Sequence, residues 1–272
     1  AYPKGHALRG RFIDGTRGIA IEGDPVYKSA FSRAMHVREI EYFPDYPLIE
    51  AWDFGQRHPA VVWSQFLPWG WWNILATYLG DRQFIDEAVP AAALMRTQHF
   101  PVISTLRVCC DPAGAQGQGV RFTNIEVLNR HLRENFGNVG ALYKTNANRP
   151  PIREWCIQQI SGYMTRLIRG RPALIVHPRC AVLIDGFEAG YTYDDRKLTN
   201  AAAPNIRRPK KDGYYDHLQN GVEYTVLAYG GAQPPSTNLE NMTVRQRLRA
   251  LQNEADGEWN WNQPVQRRDR SG

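Results

Sequence analysis

Three aspartates stand where a predicted strand ends or a predicted helix begins, and carboxylates in such positions can hold metal ions. Asp53 lies inside an otherwise apolar strand, near its end, Asp111 follows the apolar run 103–110, and Asp216 lies near the start of the last strong helical pattern. An unpaired carboxylate is costly to bury, so Asp53 needs a compensating partner, for which a metal ion is one candidate. Sites in open α/β sheets gather at the carboxyl ends of strands, where these side chains could meet.

Convergence of three carboxylates would require cations between them. Two like charges roughly 4 Å apart repel by about 4 kcal/mol at an effective dielectric of about 20. Magnesium or manganese relieves that repulsion, because hard cations prefer oxygen ligands. Two such ions can activate a water and stabilise the leaving oxygen of a phosphodiester. Spacing alone does not establish convergence, and an isolated aspartate at a strand end is commonly a turn former or a helix cap.

The last helical pattern carries further polar groups. Asp216, Asn220 and Glu223 are separated by four and three residues, so they share one face of a helix. Four cations, at positions 207, 208, 210 and 211, precede Asp216 closely. Such side chains can bind DNA phosphates without reading sequence. The residues that we expect to contact DNA are Arg57, Arg207, Arg208, Lys210 and Lys211, although most cations on a protein surface are simply solvated.

The elements that must position these residues alternate along the chain. Three strands predicted in a meander come first, followed by strands interleaved with helices, which favours a mixed α/β sheet with helices on both faces. We predict strands over 48–54, 59–66, 70–79, 103–110, 139–144 and 173–176, with short ones over 18–22 and 36–41. We predict helices over 82–98, 123–135, 151–168, 215–229 and 242–253, with a loop over 177–213. The helix at 123 opens with the capping box Thr123-x-x-Glu126.

Three segments follow from this pattern. Residues 1–47 form an irregular N-terminal extension, 48–231 one α/β domain, and 232–272 a polar C-terminal tail. The 272 residues include 43% hydrophobic and 11% aromatic side chains, which is typical of a globular protein. No apolar run approaches the roughly 18 residues that a membrane span needs, so no membrane partner is expected. The formal net charge of +6 favours a polyanionic partner.

The four cysteines do not have the spacing of a zinc site or of a disulfide framework. None forms a Cys-x-x-Cys pair, and the adjacent Cys109 and Cys110 would point to opposite faces of a strand. We therefore expect small buried hydrophobic side chains at all four positions.

The motifs around the aspartates resemble the nuclease domain of tailed-phage terminase large subunits. Residues 53–55 followed by 58–62 resemble the first nuclease motif of that family, in which an Asp-x-Gly strand turns into a Pro-Ala strand. Residues 110–114 resemble the second motif, and 210–224 resemble the third. The order and spacing of the three motifs, over about residues 15–230, carry the resemblance.

The resemblance implies a ribonuclease H-like fold and metal-dependent cleavage of double-stranded viral DNA concatemers during genome packaging. It implies two Mg²⁺ or Mn²⁺ ions on the catalytic carboxylates of Asp53, Asp111 and Asp216, with His217 as a further ligand or water-orienting group. One departure matters, because Asn220 stands where the family often has an aspartate. A neutral amide is a weaker ligand, which puts the metal affinity of one site in doubt.

A packaging terminase also needs an ATPase engine, which this sequence does not encode. No Gly-x-x-x-x-Gly-Lys-Ser/Thr phosphate loop occurs, since the glycines at 114–119 are not followed by lysine. The resemblance therefore implies a nuclease part whose partners are double-stranded DNA, the terminase ATPase domain, the small terminase and the portal, in the cytoplasm of an infected bacterial host. Two other functions stay open: a Holliday-junction resolvase or transposase-like nuclease of the same fold, and a non-catalytic DNA-binding or portal-docking module.

Overall fold

The computed structural model describes residues 23–55, 57–68, 70–116, 122–137, 139–144, 152–194 and 207–230. The strand predicted over 18–22, the helix predicted over 242–253 and the predicted tail lie outside these residues. None of the helices in the described ranges is both long and apolar enough to cross a bilayer.

A mixed sheet of six strands forms the centre of the molecule. The strands are β1 (Leu48–Asp53), β2 (Ala60–Phe66), β3 (Trp72–Leu79), β4 (Leu106–Cys110), β5 (Ala141–Leu142) and β8 (Leu174–Val176), with β6 (Leu167–Ile168) and β7 (Arg171–Pro172) as a separate small hairpin. The strand order is β5-β4-β1-β2-β3-β8, in which β1, β2 and β3 form an antiparallel meander. Strand β4 runs parallel to β1, β5 parallel to β4, and β8 parallel to β3. This is the ribonuclease H-like mixed sheet that the sequence motifs implied, and that prediction is confirmed.

Helices cover both faces of the sheet. They are α1 (Arg33–His36), α2 (Ile85–His99), α3 (Asn124–Phe136), α4 (Ile152–Thr165), α5 (Ala181–Asp185), which continues into a π-helical turn (Gly186–Gly190), and α6 (Tyr215–Tyr229). Helix α3 begins at the predicted capping box. Thr123 Oγ1 accepts a hydrogen bond from Glu126 N at 3.2 Å, and the Glu126 carboxylate accepts one from Thr123 N at 2.7 Å.

Strand β1 separates two hydrophobic cores. Ile49 and Ala51 face the core that α4 and α6 cover, whereas Leu48 and Trp52 face the core that α2 and α3 cover. All six residues of β1 are buried because both faces are covered. The same alternation sends Cys109 into the first core and Cys110 into the second, and all four cysteines are buried and unpaired, as expected.

The segment before β1 contributes to the core. Tyr27 and Phe31 are buried in the first core, and isolated bridges join Pro25 to Thr192 and Val37 to Val176. The boundaries predicted at residues 47 and 231 stay predictions.

The short strand predicted over 36–41 is wrong. His36 ends helix α1, and its buried ring is fixed by Ser32 O at 2.9 Å and by Met164 O at 2.9 Å. These two contacts give the buried imidazole its polar partners.

The loop predicted over 177–213 contains helix α5 and the π-helical turn. Its glycines suggested breaks in structure, but they allow close packing on α6. A Cβ on Gly186 would lie 2.6 Å from Gln219 Nε2, and one on Gly190 would lie 2.6 Å from the Tyr215 ring. Here glycine serves the contact between two elements, which local sequence does not reveal.

Candidate active site

Two of the three predicted aspartates lie at one edge of the sheet because their strands are parallel neighbours. Asp53 ends β1, and Asp111 directly follows β4. Trp52 is paired with Cys110, and Asp111 N donates to Trp52 O at 2.9 Å, so the ladder continues to these positions. Alternation along β4 puts Asp111 on the face that carries Cys109, which is also the face of Asp53. The carboxyl ends of the strands therefore bring two acidic residues together.

Asp53 is buried and held by three donors. Its Oδ1 lies 2.9 Å from His217 Nδ1 and accepts from Gly55 N at 3.0 Å. Its Oδ2 accepts from Asn220 Nδ2 at 2.9 Å. The compensating partners that a buried carboxylate requires are thus supplied by helix α6 and by the turn after β1.

Gly55 is required by the close approach of His217. A Cβ at Gly55 would lie 2.5 Å from Cε1 of the imidazole, which is shorter than any van der Waals contact. Burial lowers the pKa of His217, but its hydrogen bond to Asp53 and the negative charges of Asp53 and Asp216 outweigh this and raise the pKa on balance. The glycine of the Asp-x-Gly sequence therefore leaves the space in which the His217 ring contacts the Asp53 carboxylate.

Asp216 lies in the first turn of helix α6, the helix that also carries His217 and Asn220. Its Oδ1 accepts from Gly213 N at 2.8 Å, and Asp212 Oδ1 accepts from Tyr214 N at 2.9 Å and from Asp216 N at 3.3 Å. Burial raises the pKa of Asp216 to about 6, and the neighbouring carboxyl groups of Asp212 and Asp53 add to the rise while His217 opposes it. Burial is thus the main cause of the raised pKa, and the nearby acidic groups add to it.

Asp111 also has a local role. One of its carboxylate oxygens, Oδ1, accepts from Ala113 N at 2.9 Å and caps the short 3-10 helix Pro112–Ala115. The turn-former interpretation of this residue is therefore supported by its geometry, and a ligand role for its other oxygen stays a prediction.

The donor chemistry at this edge fits a divalent cation. Asp53, Asp111 and Asp216 offer oxygen ligands, and the raised pKa of Asp216 marks a place where added positive charge would be stabilising. The fit is one of chemistry and location only. Among the described residues, no group of three or more His, Cys, Asp or Glu side chains is already arranged around one point. His217, the predicted additional ligand, instead contacts Asp53.

A buried polar network beneath the site was missed by the sequence analysis. Arg153 of α4 donates from Nη2 to Asn220 Oδ1 at 2.7 Å and lies, through Nε, 3.2 Å from Glu223 Oε2. The Tyr191 hydroxyl donates to Glu223 Oε1 at 2.9 Å. A signal was present, because Arg153 stands three and seven residues before the buried Cys156 and Ile160 and so shares their face.

The predicted DNA-contacting cations divide into two groups. The side chains of Arg57, Arg208, Lys210 and Lys211 are exposed. Arg207 is partly engaged, since its Nη1 lies 2.6 Å from Asp24 Oδ2 and its guanidinium covers the Tyr193 ring. The exposed four are better placed for a ligand than Arg207, and all five assignments stay predictions.

Comparison with known proteins supports the fold. No protein-family model matches the sequence, and no curated protein is similar to it in sequence. The structure is similar to the large terminase of a thermophilic bacteriophage, with a TM-score of 0.53 and 14% identity over 78% of this chain and 46% of that one. The fold is that of part of a phage large terminase. The resemblance predicted from the three motifs is confirmed at this level, and the chain spans about half the length of the large terminases that it matches.

Weaker likenesses extend to two isolated nuclease domains. The large terminase nuclease of the thermophilic phage G20c has a TM-score of 0.46 at 14% identity, covering 70% of this chain and 86% of that one. The nuclease domain of the large terminase of bacteriophage SPP1, determined with bound Mn, has a TM-score of 0.41 at 10% identity, covering 70% and 93%. Likenesses of this strength do not assign residues or metals to the present chain.

Proposed function

We propose that this chain is the nuclease part of a phage large terminase and hydrolyses phosphodiester bonds of double-stranded viral DNA during genome packaging. One observation carries the proposal: Asp53 ends β1, Asp111 directly follows the adjacent parallel strand β4, and Asp216 is the neighbour in α6 of His217, which contacts Asp53. Fold alone does not give function, whereas acidic side chains at this edge supply a chemical reason for it.

The proposed mechanism assigns each residue a task. Asp53, Asp111 and Asp216 would hold two Mg²⁺ or Mn²⁺ ions, which supply a low-pKa water and neutralise charge on the phosphate. His217 and Asn220 hold the Asp53 carboxylate in one orientation. The pKa of Asp216, raised to about 6 mainly by burial, predicts that metal binding weakens as the pH falls towards 6, because only the ionised carboxylate is a good ligand.

DNA would approach along the exposed cations near this edge. Arg57 follows Gly55 by two residues, and Lys210 and Lys211 precede Asp216 closely, so phosphates bound there would lie near Asp53 and Asp216. Such binding is independent of base sequence and weakens steeply with salt. The remaining partners that we propose, an ATPase domain, a small terminase and a portal in the host cytoplasm, rest on the likeness to large terminases.

Plasmid cleavage tests the proposal directly. Supercoiled plasmid incubated with the 272-residue chain should be nicked or linearised in Mn²⁺ and left intact in chelator. Asp53→Ala should lose at least about a hundredfold of the activity, because one of the carboxylates at the reacting centre is removed. Asp45→Ala is the matched control, since that exposed aspartate precedes the opposite end of β1. Full activity of Asp53→Ala would end the proposal.

The hydrogen bonds to Asp53 favour a second candidate function, which is binding of DNA without cleavage. Both its carboxylate oxygens are engaged by protein donors, and one donor is the neutral Asn220. This arrangement also suits a nuclease fold that binds DNA without cutting it. Salt-sensitive DNA binding with no cleavage in Mn²⁺ would select this alternative over the nuclease.

A further inference from the structure

The amide of Asn220 has one favourable orientation in its site. Arginine has only donors and an ionised carboxylate has only acceptors, whereas an amide offers one of each. Asn220 therefore satisfies both neighbours when Oδ1 faces Arg153 and Nδ2 faces Asp53, as the 2.7 Å and 2.9 Å contacts record. A flipped amide would place its Nδ2 donor against the donor of Arg153 and its Oδ1 acceptor against the acceptor oxygen of Asp53.

A buried ion pair holds Arg153 beside Asn220. Its side chain is 9% exposed and paired with Glu223, which is 2% exposed. The Tyr191 hydroxyl in turn fixes Glu223 at 2.9 Å. Arg153 Nε and Glu223 Oε2 form an ion pair without an aligned hydrogen bond, so the hydrogen bonds of the network are those that Asn220 and Tyr191 make. In such a network each hydrogen bond restricts the geometry of the next.

We propose that Arg153 is a positioning residue, which sets the orientation of the Asp53 carboxylate through the amide of Asn220. Its prediction for DNA cleavage rests on the proposed nuclease function, whereas its prediction for the orientation of the Asn220 amide does not. Glu223 holds Arg153 by an ion pair, and the two hydrogen bonds of Asn220 connect Arg153 to the Asp53 carboxylate. Outer partners that orient a metal ligand are worth about 10- to 100-fold in metal affinity or activity.

A merely structural role makes a different prediction. A second buried pair, Arg96 with Glu50, lies on the opposite face of β1 with Nη1 2.7 Å from Oε2. The other hydrogen bonds of Glu50 run to Trp52 and Trp63, not to the acidic edge. If any buried arginine–glutamate pair supports activity simply by stabilising the sheet, then neutralising either pair should have the same effect.

The experiment compares matched double variants of the full chain. Arg153→Met with Glu223→Gln removes one pair without leaving a buried charge, and Arg96→Met with Glu50→Gln does the same on the other face. The first readout is hydrogen exchange of the Asn220 side-chain amide by NMR, assigned from its loss in Asn220→Ala. The second is Mn²⁺ affinity by calorimetry, and the third is kcat and KM for plasmid.

We expect the Arg153 pair to matter at the site and the Arg96 pair not to. In the Arg153 double variant the Asn220 amide should exchange at least about tenfold faster, with Mn²⁺ affinity and kcat lowered by about 10- to 100-fold and KM for DNA unchanged. Arg153→Lys, which keeps the charge but not the fork, should give an intermediate result and serves if the double variant does not fold. The Arg96 double variant should match the wild type in all three readouts.

The readouts separate the two proposals. Unchanged amide exchange in a folded Arg153 double variant or in Arg153→Lys overturns the positioning role, whatever the activity. If the wild type neither binds Mn²⁺ nor cleaves DNA, the proposed function fails, and the amide exchange still decides whether Arg153 positions Asn220.

Discussion

Two buried arginine–glutamate pairs lie on opposite faces of the sheet and differ in what else they contact. Glu50 accepts from Arg96 Nη1 at 2.7 Å, from Trp52 Nε1 at 2.7 Å and from Trp63 Nε1 at 2.8 Å. Glu223 is contacted by Arg153 and by Tyr191, and Arg153 also reaches Asn220. Within the described residues, the hydrogen bonds of Glu50 run only to Arg96 and to two core tryptophans, and we call these residues the closed set. The contacts of Glu223, Arg153 and Tyr191 extend through Asn220 to Asp53, and we call these residues the open set.

The difference shows that burial and pairing do not by themselves identify a functional charge. Both pairs bear the cost of removing ions from water, and both need close partners to offset it. What separates them is whether a polar path leads from the pair to the candidate site. The reason to assign a functional role to Arg153 is that Asn220 hydrogen-bonds both to Arg153 and to Asp53. The burial of Arg153 alone would not justify that role.

The largest expected effect comes from removing one arginine and leaving its glutamate buried. Arg153→Met and Arg96→Met should each lower the free energy of unfolding by about 3–5 kcal/mol. The loss should be greater for Arg153→Met, because Glu50 keeps two indole donors whereas Glu223 keeps the Tyr191 hydroxyl. Urea unfolding at neutral pH measures both, and an equal or reversed order would contradict the contrast between closed and open sets.

Replacing the linking amide by a carboxylate tests the open set directly. Asn220→Asp removes the donor to Asp53 Oδ2 and places two negative oxygens together, so we expect unfolding free energy to fall by about 1–3 kcal/mol. Mn²⁺ should restore more of that stability in the variant than in the wild type, since a cation relieves the new repulsion. Thermal unfolding with and without Mn²⁺ gives both values. The same metal-induced shift in variant and wild type would mean that position 220 does not face the cation site.

Sequence predicted those parts of the molecule that local pattern controls. The apolar runs of β1 to β4, the Thr123 capping box and the last helix all depend on neighbours within a few residues. The pattern also predicted that Asp53 and Asp111 lie at strand ends, but that the two ends share an edge follows from the parallel pairing of β4 with β1, which spacing does not reveal.

The missed parts depend on contacts between distant segments. Arg153 and Asn220 are 67 residues apart, and Tyr191 and Glu223 are 32 apart, so nothing in local spacing joins them. Helix α5 and its π-helical turn were hidden by glycines whose purpose is close packing on α6. The assignment of the three aspartates to a metal centre remains a prediction that the metal-dependent experiments test.

Two glycine substitutions separate a constrained position at the site from an open one on the helix that carries Arg153. Gly55→Ala puts a methyl group 2.5 Å from the His217 ring, so the imidazole must leave Asp53 or the turn must shift. Such overpacking costs about 1–3 kcal/mol, and cleavage should fall with it. Gly162→Ala on α4 meets no described atom within 4 Å and should stabilise by about 1 kcal/mol with activity unchanged. Equal effects of the two substitutions on cleavage would contradict the role given to the Gly55–His217 contact.

The smallest expected effect comes from the hydroxyl at the far end of the open set. Tyr191→Phe removes the hydrogen bond to Glu223 Oε1, which is worth about 0.5–1.5 kcal/mol of unfolding free energy. The ring keeps its packing against Tyr27, so the loss should come from the hydrogen bond alone.

Trp63→Phe in the closed set removes one of three donors to Glu50 but also trims a buried ring, so it should lower the free energy of unfolding by more than Tyr191→Phe does. In a double-mutant cycle, Tyr191→Phe should couple to Arg153→Lys and not to Trp63→Phe, because only the first two residues share Glu223 as a partner. Additive behaviour of Tyr191→Phe with Arg153→Lys would show that the hydroxyl does not act through that carboxylate.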